Sequence, residues 1–357
     1  MSRAMKFPPS LQVRSVEPPV AVAHRVSSRL DAFARVECGY YPTPLEELHR
    51  LREALGGPRL LIKRDDLTGT GFGSNKVRKL DYVMARALAD GATTVITIGG
   101  EKSNHVRVTA AVCARLGLRC VLVLNRAEPG TIPPGLKPAS RFVYEMFGTE
   151  MHWVESREER EPAARALTEK LRAGGARAIY IPLGVSFPLG ALGFVRAVRE
   201  VLAQCEGVGA RPNYVFHAST SGGTQAGMIV GYRAFCREPV TVVGVSPDDP
   251  AGVISARVAE IVNGVCDLLE ADEYRVSREG VTILDQYVGP GYGLDTPEAA
   301  EASRLVAATE GIILDPVYTA KAMAALRDWI AKGRLTENDT VLFWHTGGQL
   351  ALFYTQA

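Results

Sequence analysis

Short apolar runs of β character alternate with segments of helical periodicity along most of this chain. In the first half, β-type runs at residues 60–63, 94–98 and 120–124 are separated by helical segments at 76–88 and 104–116. Strands that alternate with helices predict a parallel sheet whose strands are joined by crossover helices.

The same alternation returns in the second half of the chain. It predicts strands at 214–217, 241–245 and 340–344, and helices at 224–235, 296–309 and 319–330. A length of 357 residues exceeds what one ordinary core supports, so we expect two domains, or one core with a large insertion. The Pro- and Gly-rich segment 126–140 is predicted to be a surface loop.

Charge and apolar patterning argue against several classes of protein. The formal net charge of +2 gives no electrostatic reason to expect a nucleic-acid partner. No run of about 18 apolar residues predicts a membrane span, and the prolines within residues 1–20 interrupt any apolar stretch of a signal peptide. Residues 1–40, with little periodicity, are interpreted as an N-terminal arm that wraps a partner subunit or is loose.

The six cysteines are spread along the chain without a C-x-x-C pair, and no His/Cys cluster has the spacing of a zinc site. The sequence therefore predicts no metal, and a reducing, cytoplasmic location fits it best.

Three glycine-containing turns follow predicted strands, where ligands collect in open α/β sheets. The turn Ser-Thr-Ser-Gly-Gly-Thr at 219–224 precedes a helix, so its backbone N–H groups and the helix dipole favour an anion such as phosphate. An ordinary tight turn between strand and helix is the alternative.

The second turn, at 68–79, leads into a helix that carries Lys76 and Lys79 on one face. One lysine is a candidate covalent nucleophile, and the other is a candidate partner for phosphate. A solvated basic first turn is the alternative, although cations at a helix N-terminus oppose its dipole.

The third turn, at 97–105, places Ser103 and Asn104 at the start of a helix. Both residue types are ordinary N-caps. Their functional interpretation is that hydroxyl, amide and backbone N–H groups bind a carboxylate or an oxygen of a cofactor.

Together, these motifs resemble those of the D-cysteine desulfhydrases and 1-aminocyclopropane-1-carboxylate deaminases, which are pyridoxal-phosphate enzymes of fold type II. The similarity runs from about Tyr41 to the C-terminus. Its ordered motifs are Gly-Ser-Asn-Lys-Val-Arg-Lys at 73–79, Gly-Gly and Ser-Asn-His within 99–105, the turn from Ser221 to Gly227, Gly-Pro-Gly-Tyr-Gly at 289–293, Leu-Asp-Pro-Val-Tyr at 314–318 and His-Thr-Gly-Gly at 345–348.

The resemblance implies a role for each matching residue. Lys76 matches the lysine that holds pyridoxal 5'-phosphate as a Schiff base. Tyr292, Tyr318 and Ser103 match residues that act on the substrate. The remaining cofactor-binding matches are Lys79, Asn104, Ser221, Gly222, Gly223, Thr224 and Thr346, and the substrate-binding matches are Lys102, Ser103, Asn104 and His105.

Two departures from the family pattern bear on the reaction. The deaminases carry Glu where this chain has Thr319, so the carboxylate that would face the pyridine nitrogen is absent and Thr346 offers a hydroxyl. Relatives carry Gln where this chain has Lys102. That lysine either replaces the Gln structurally or points to solvent, or it meets a second anion on the substrate, such as the sulfonate of cysteate or a second carboxylate.

We therefore expect α,β-elimination on a small amino acid, as in a D-cysteine desulfhydrase, giving a 2-oxo acid, ammonia and the β-leaving group. The alternatives are a 1-aminocyclopropane-1-carboxylate deaminase, a cysteate sulfo-lyase, a β-replacement enzyme, or a ligand-binding protein without activity. The resemblance implies a tryptophan-synthase-β-like fold of two three-layer α/β domains with mostly parallel sheets. We assign 1–40 to the arm, 41–84 with 191–357 to the large cofactor-binding domain and 85–190 to the small domain, and we expect a homodimer.

Overall fold

The computed structural model describes residues 20–127 and 132–356 of the chain. Within them the helices are α1 Val20–Ala32, α2 His49–Leu55, α3 Asn75–Ala89, α4 Asn104–Leu116, α5 Ala139–Met146, α6 Arg160–Ala173, α7 Pro188–Gly207, α8 Gly223–Phe235, α9 Ala251–Leu269, α10 Pro297–Glu310 and α11 Thr319–Ala331. The strands are β1 Leu45–Glu47, β2 Arg59–Arg64, β3 Thr94–Gly100, β4 Arg119–Asn125, β5 Leu136–Pro138, β6 Glu150–Val154, β7 Ala178–Ile181, β8 Tyr214–Ala218, β9 Thr241–Val245, β10 Thr282–Leu284, β11 Thr340–His345 and β12 Tyr354–Gln356.

Two sheets organise the fold, and both are mostly parallel. The larger has six strands in the order β1-β2-β11-β8-β9-β10, in which only the edge strand β1 runs antiparallel to its neighbour. The smaller has four parallel strands in the order β6-β4-β3-β7. A third sheet pairs β12 with β5. The predicted α/β class with mostly parallel sheets is confirmed.

The six strands and five helices predicted from the sequence all form, each within two residues of its expected bounds, and β9 and α4 match them. The segment 126–140 differs from the predicted loop, because β5 forms there against β12 and α5 begins at Ala139. Residues 128–131 lie outside the described part of the chain. The long helices α7 and α9 were not predicted.

Sheet membership supports the proposed division into two domains. All four strands of the smaller sheet lie within 85–190, and all six strands of the larger sheet lie within 41–84 and 191–357. We propose these boundaries for the small and large domains.

No helix in the described part of the chain is long and apolar enough to cross a membrane. None of the six cysteines forms a disulfide.

The segment assigned to an arm contains helix α1. Its residues Val22, Val26 and Leu30 repeat every four positions and are buried in one core cluster with residues of α7, α8 and α9. This spacing is the helical signal that the surrounding prolines obscured. Residues 20–32 therefore pack on the six-stranded-sheet domain, whereas residues 1–19 lie outside the described structure.

Removing the Leu30 side chain tests whether α1 belongs to the core. Because Leu30 is fully buried, Leu30→Ala should lower the free energy of unfolding by about 2–4 kcal/mol, as for other buried leucines. Urea denaturation of the purified protein measures the change. His24→Ala, at an exposed position of the same helix, should change it by less than about 0.5 kcal/mol. Equal, small effects for both variants would show that α1 is not part of the core.

Candidate active site

Helix α3 begins with a sharp turn that directs Lys76 into the main cavity. Gly73 has φ +65°, and a Cβ there would lie 1.9 Å from the carbonyl oxygen of Asp66, so only glycine fits. The Ser74 side chain caps the helix by accepting a hydrogen bond from the Lys76 backbone N–H at 3.1 Å. Lys76 lines the cavity, and burial lowers the pKa of its amine to about 8.

A buried ionic cluster anchors the opposite face of α3. The Arg78 guanidinium contacts Asp65 at 2.8 Å and Glu200, on α7, at 2.9 Å. Trp344 Nε1 donates to the second Asp65 oxygen at 2.8 Å, and Lys63 Nζ donates to Glu200 at 2.6 Å. The cluster joins α3 to β2, β11 and α7, and it holds the first turn of α3 in place.

Lys79 is fully buried one turn after Lys76, and its side-chain nitrogen contacts the turn that contains Gly184 and Ser186. Its Nζ donates to the carbonyl oxygen of Gly184 at 3.2 Å and to Ser186 Oγ at 3.0 Å. No carboxylate in the described residues lies within ion-pair distance of it. Burial lowers the pKa of Lys79 well below its ordinary value, and the charge of Lys76 acts in the same direction.

The glycine turn before α8 lies directly against Lys79. Ser186 Oγ donates to Ser221 Oγ at 2.6 Å and accepts from the Gly223 backbone N–H at 3.3 Å. A Cβ at Gly223 would lie 3.0 Å from Lys79 Nζ. Asn75 Nδ2 donates to Thr224 Oγ1 at 2.9 Å, which fastens the start of α3 to the start of α8.

The turn after β3 brings Lys102, Ser103 and Asn104 to the same cavity. The Arg107 guanidinium donates to Asn104 Oδ1 and to the carbonyl oxygen of Gly73. Because arginine only donates, this contact fixes the Asn104 oxygen toward Arg107 and leaves the amide nitrogen for the cavity. Burial lowers the pKa of Arg107 to about 10.

His105 is placed differently from the other residues of this turn. Its Nε2 contacts Thr97 Oγ1 at 2.7 Å and its Nδ1 contacts Thr109 Oγ1 at 3.3 Å. Burial lowers the pKa of His105 well below its ordinary value, so the ring is neutral. Although His105 lines the cavity, both ring nitrogens are engaged by threonines, which favours a supporting position over substrate binding.

Two tyrosines lie together at the cavity. The phenolic oxygens of Tyr292 and Tyr318 are 2.5 Å apart. Burial raises the pKa of both, so both hydroxyls carry protons at neutral pH. The Arg157 guanidinium lies 5.2 Å over the Tyr292 ring, and the Tyr318 backbone N–H donates to Asp315 at 2.8 Å.

Thr346 and Thr319 are placed differently, and only Thr346 lines the cavity. Thr319 is turned away, because its Oγ1 donates to Asp315 Oδ1 at 2.6 Å. Asp315 is fully buried and also accepts from the backbone N–H groups of Val317 and Thr319. Its carboxylate is thus occupied by the N-terminal turn of α11 and does not line the cavity.

The cavity has a volume of about 340 Å³ and lies between the carboxyl ends of the two main sheets. It gathers residues from all three glycine turns and from the later motifs. The anticipated residues that line it are Lys76, Lys102, Ser103, Asn104, His105, Ser221, Gly222, Thr224, Tyr292, Tyr318 and Thr346. Lys79 and Gly223 lie just behind this lining, in contact with each other.

Sequence reasoning missed two residues that shape the site. Arg107 carries a positive charge in the first turn of α4, ahead of mostly apolar residues, a mismatch that could have indicated a buried polar contact. Ser186 follows the pair Gly184 and Val185, both with positive φ. A β-branched residue at positive φ is strained and often marks a functional site, but the strain is not visible in the sequence.

Comparison with known proteins identifies the family to which this fold and its cleft correspond. Residues 36–347 match the family model described as pyridoxal-phosphate dependent enzyme. A crystal structure of an ACC deaminase homologue is 35% identical, with 92% of this chain and 96% of that chain aligned and a TM-score of 0.83. A threonine deaminase from T.th. is 24% identical over 93% of this chain and 98% of its own, with a TM-score of 0.63. An L-serine ammonia-lyase from the fungus Rhizomucor miehei is 18% identical over 86% and 93%, with a TM-score of 0.63.

The fold and the cleft between its two sheets are those of a cofactor-dependent enzyme. The chain belongs to the pyridoxal-phosphate dependent enzyme family. The expected fold type, the expected cofactor and the expectation of an enzyme are therefore confirmed. The two more distant structures support the fold alone.

The residues present fit this cofactor. A phosphate group needs hydrogen-bond donors and positive charge, and the Lys79 ammonium is buried without a carboxylate among the described residues. Ser219 Oγ is also buried without a partner there and lines the cavity. A Cβ at Gly223 would lie 2.9 Å from Ser186 Oγ and 3.0 Å from Lys79 Nζ, so glycine lets both groups approach the start of α8. The start of α8, Lys79 and Ser219 thus offer hydrogen-bond donors and positive charge at one place, as an anion requires.

The anchoring cluster behind α3 predicts a pH dependence of stability. Burial opposes ionisation of Glu200, but hydrogen bonds and charges from Arg78 and Lys63 outweigh it and lower its pKa to about 2. A pKa below the unfolded value stabilises the fold at neutral pH, and this stabilisation is lost as the pH falls below about 4.5. The advantage of wild type over Glu200→Gln in free energy of unfolding should shrink by about 1.5 kcal/mol between pH 6 and pH 3.5.

Urea denaturation at several pH values measures this difference. Glu206→Gln, at an exposed position of the same helix α7, is the matched control and should show no such trend. A constant difference between wild type and Glu200→Gln across the range would contradict the depressed pKa.

Proposed function

We propose that this protein catalyses α,β-elimination on a small amino acid in the manner of a D-cysteine desulfhydrase, releasing a 2-oxo acid, ammonia and the β-leaving group. The observation that carries the proposal is that Thr346 lines the cavity, whereas Asp315 does not line it and its carboxylate is occupied by Thr319 and backbone N–H groups. If the Thr346 hydroxyl rather than a carboxylate faced the pyridine nitrogen of the bound cofactor, the electron sink would be shallow, which would suit loss of a good β-leaving group more than ring opening.

Lys76 is proposed to hold the cofactor and to act as the base. Pyridoxal phosphate, when bound, supplies the electron sink that makes the α-proton acidic. A pKa of about 8 leaves a useful fraction of the Lys76 amine neutral near neutral pH. Only a neutral amine attacks an aldehyde or removes a proton.

Lys79 is proposed to bind the phosphate together with the turn from Ser221 to Thr224. Support comes from its contact with Ser186 and from the closeness of Gly223 to its ammonium. The N-terminus of α8 adds its partial positive charge to the same place. A bound dianion would supply the counter-charge that this buried lysine lacks among the described residues.

Ser103 and Asn104 are proposed to bind the α-carboxylate of the substrate, with the positive charge of Lys102 nearby. Both residues lie at the start of α4, where hydroxyl, amide and backbone donors meet the cavity. Tyr292 and Tyr318 are proposed to deliver protons. Their raised pKa values keep both hydroxyls protonated, and the hydrogen bond between them provides a path for a proton.

Trapping the cofactor on its lysine tests the assignment of Lys76. Borohydride reduction of the holoenzyme followed by peptide mass mapping should find the cofactor on Lys76. Lys76→Ala should lower kcat with β-chloroalanine by about 1000-fold or more, because it removes both attachment and base. Lys170→Ala, on the exposed face of α6, should leave kcat unchanged.

Product analysis with the same holoenzyme distinguishes between the candidate reactions. We expect 2-oxo acid from at least one of D-cysteine, L-cysteine, β-chloroalanine, cysteate or serine. Faster release of 2-oxobutanoate from 1-aminocyclopropane-1-carboxylate would reject elimination in favour of ring opening. Ring opening is the alternative that likeness to an ACC deaminase homologue supports. Thioether or amine adducts formed with added nucleophiles would indicate β-replacement, and a yellow protein that turns over nothing would indicate ligand binding alone.

Replacing Lys79 separates phosphate binding from folding. In Lys79→Met, the affinity for pyridoxal phosphate should fall about 100-fold, since a charge-assisted contact to the phosphate is lost. The cofactor-free variant should be at least as stable as wild type, because a buried ammonium without a counter-charge is costly. Absorbance titration and thermal melting measure the two effects. With Lys170→Met as the control, unchanged cofactor affinity in Lys79→Met would exclude Lys79 as the phosphate ligand.

A homodimer and a cytoplasmic location remain proposals. The first comes from the family resemblance. The second is supported by six cysteines that are all free.

A further inference from the structure

Four cations lie along one wall of the cavity, whose lining also includes Glu101, Glu158, Asp248 and Asp249. In the smaller sheet, the neighbouring strands β3, β4 and β6 run parallel, so their carboxyl ends lie at one edge. Lys102 follows β3, Arg126 follows β4, and Arg157 and Arg160 follow β6, and all four line the cavity. Three adjacent strands thus each deliver a cation to the same wall.

Two of the four arginines that line the cavity form ion pairs with acids. Arg157 pairs with Asp248, and Arg257 pairs with Asp249 at 3.2 Å. Behind the wall, Arg141 pairs with Glu101. These pairs leave no net charge for a ligand.

Arg160 is one of the two without an ion pair, although the charges of Glu158 and Asp248 act on it. It is only 8% exposed, and its Nε donates to the carbonyl oxygen of Arg157 at 2.9 Å. No carboxylate in the described ranges lies within ion-pair distance of its guanidinium, so its two terminal nitrogens have no acidic partner there. Arg126 also has no acid within that distance among these residues, and its guanidinium lies 4.9 Å over the Trp153 ring.

A buried guanidinium without an acid is costly unless an anion reaches it. The anionic groups already assigned lie elsewhere in the cavity. The phosphate belongs to the turn before α8, and the α-carboxylate belongs to the start of α4. Arg160 lies at the start of α6, beside the Arg157 that stacks on Tyr292. A third anion at this wall would therefore be carried by the part of the substrate beyond its α-carbon.

We infer that Arg160, with Arg126, forms a subsite for an anionic group on the β-substituent of the substrate. The inference rests on the proposed elimination and narrows its substrate class to amino acids with a second anion, such as the sulfonate of cysteate or the carboxylate of S-carboxymethylcysteine. For a sulfonate, the base takes the α-proton and the Cβ–S bond breaks. Sulfite leaves with the electron pair, and water then releases pyruvate and ammonia.

Paired substrates test the subsite in the holoenzyme. Each enantiomer of cysteate and of S-carboxymethylcysteine is compared with β-chloroalanine, whose β-substituent is neutral. Arg160→Gln should lower kcat/KM for the preferred anionic substrate by about 30-fold or more, mainly through KM. The kcat/KM of Arg160→Gln for β-chloroalanine should stay within about threefold of the wild-type value. The preferred anionic substrate identifies sulfonate or carboxylate as the group bound.

Arg165→Gln is the matched control, because it removes the same charge from the same helix at an exposed position paired with Glu161. This variant should leave kcat/KM unchanged for both the anionic and the neutral substrate. Arg160→Lys, which keeps the charge without the forked geometry, should fall between wild type and Arg160→Gln. An equal loss for anionic and neutral substrates in both Arg160 variants, or no loss in either, overturns the subsite.

A binding measurement separates failure of the subsite from failure of elimination. 2-Methylaspartate and 2-aminoisobutyrate lack an α-proton, so their binding to the holoenzyme is followed by cofactor absorbance without turnover. A preference for 2-methylaspartate that Arg160→Gln removes supports the subsite even if no substrate is eliminated. The absence of such a preference in wild type, together with turnover of β-chloroalanine alone, rejects the subsite and leaves the proposed function standing.

Discussion

The Arg78 guanidinium, buried between Asp65 and Glu200, fixes the element on which the cavity depends. Successive helical residues are about 100° apart, so Lys76 and Lys79 share a face and Arg78 points the opposite way. The cluster that holds α3 against the core therefore also turns both lysines toward the cavity. Lysines in the first two turns of a helix oppose its dipole, so contacts elsewhere in the fold must hold α3 in place.

Strands β2, β3 and β8 could be predicted because each is an apolar run followed by a glycine-containing turn, whereas β6 and β7, which also end near the cavity, were not predicted. The helix α7 could not be predicted, because its glycines look like breaks in the sequence. In the fold they permit close packing, since a Cβ at Gly193 would lie 2.2 Å from the carbonyl oxygen of Arg78. Glycine costs helix stability, and here close contact between α3 and α7 requires it. Local propensity cannot anticipate such a contact, because it depends on residues more than a hundred positions apart.

The candidate site shows the same limit on a smaller scale. Lys76 and Lys79 are recognisable because one short motif fixes their spacing and their helical face. His105 belongs to an equally short motif, but its ring is held by Thr97 from a strand and by Thr109 from its own helix. Arg107 orients Asn104 only because the turn at Gly73 lies beside α4. Motif order identifies which residues gather in the cleft, whereas hydrogen bonds across elements decide which atoms remain for a ligand.

The two sheets present different kinds of positive charge to the cavity between them. On the side of the larger sheet, charge comes from the start of α8 and one buried lysine, an arrangement that suits a compact phosphate. On the side of the smaller sheet, it comes from side chains at the ends of three strands, which reach further and suit a substrate. The chain as a whole has a net charge of only +2, so this polarity is local and invisible in the composition. It arises because parallel strands end at one edge, where a few cations remain without acids among the residues described.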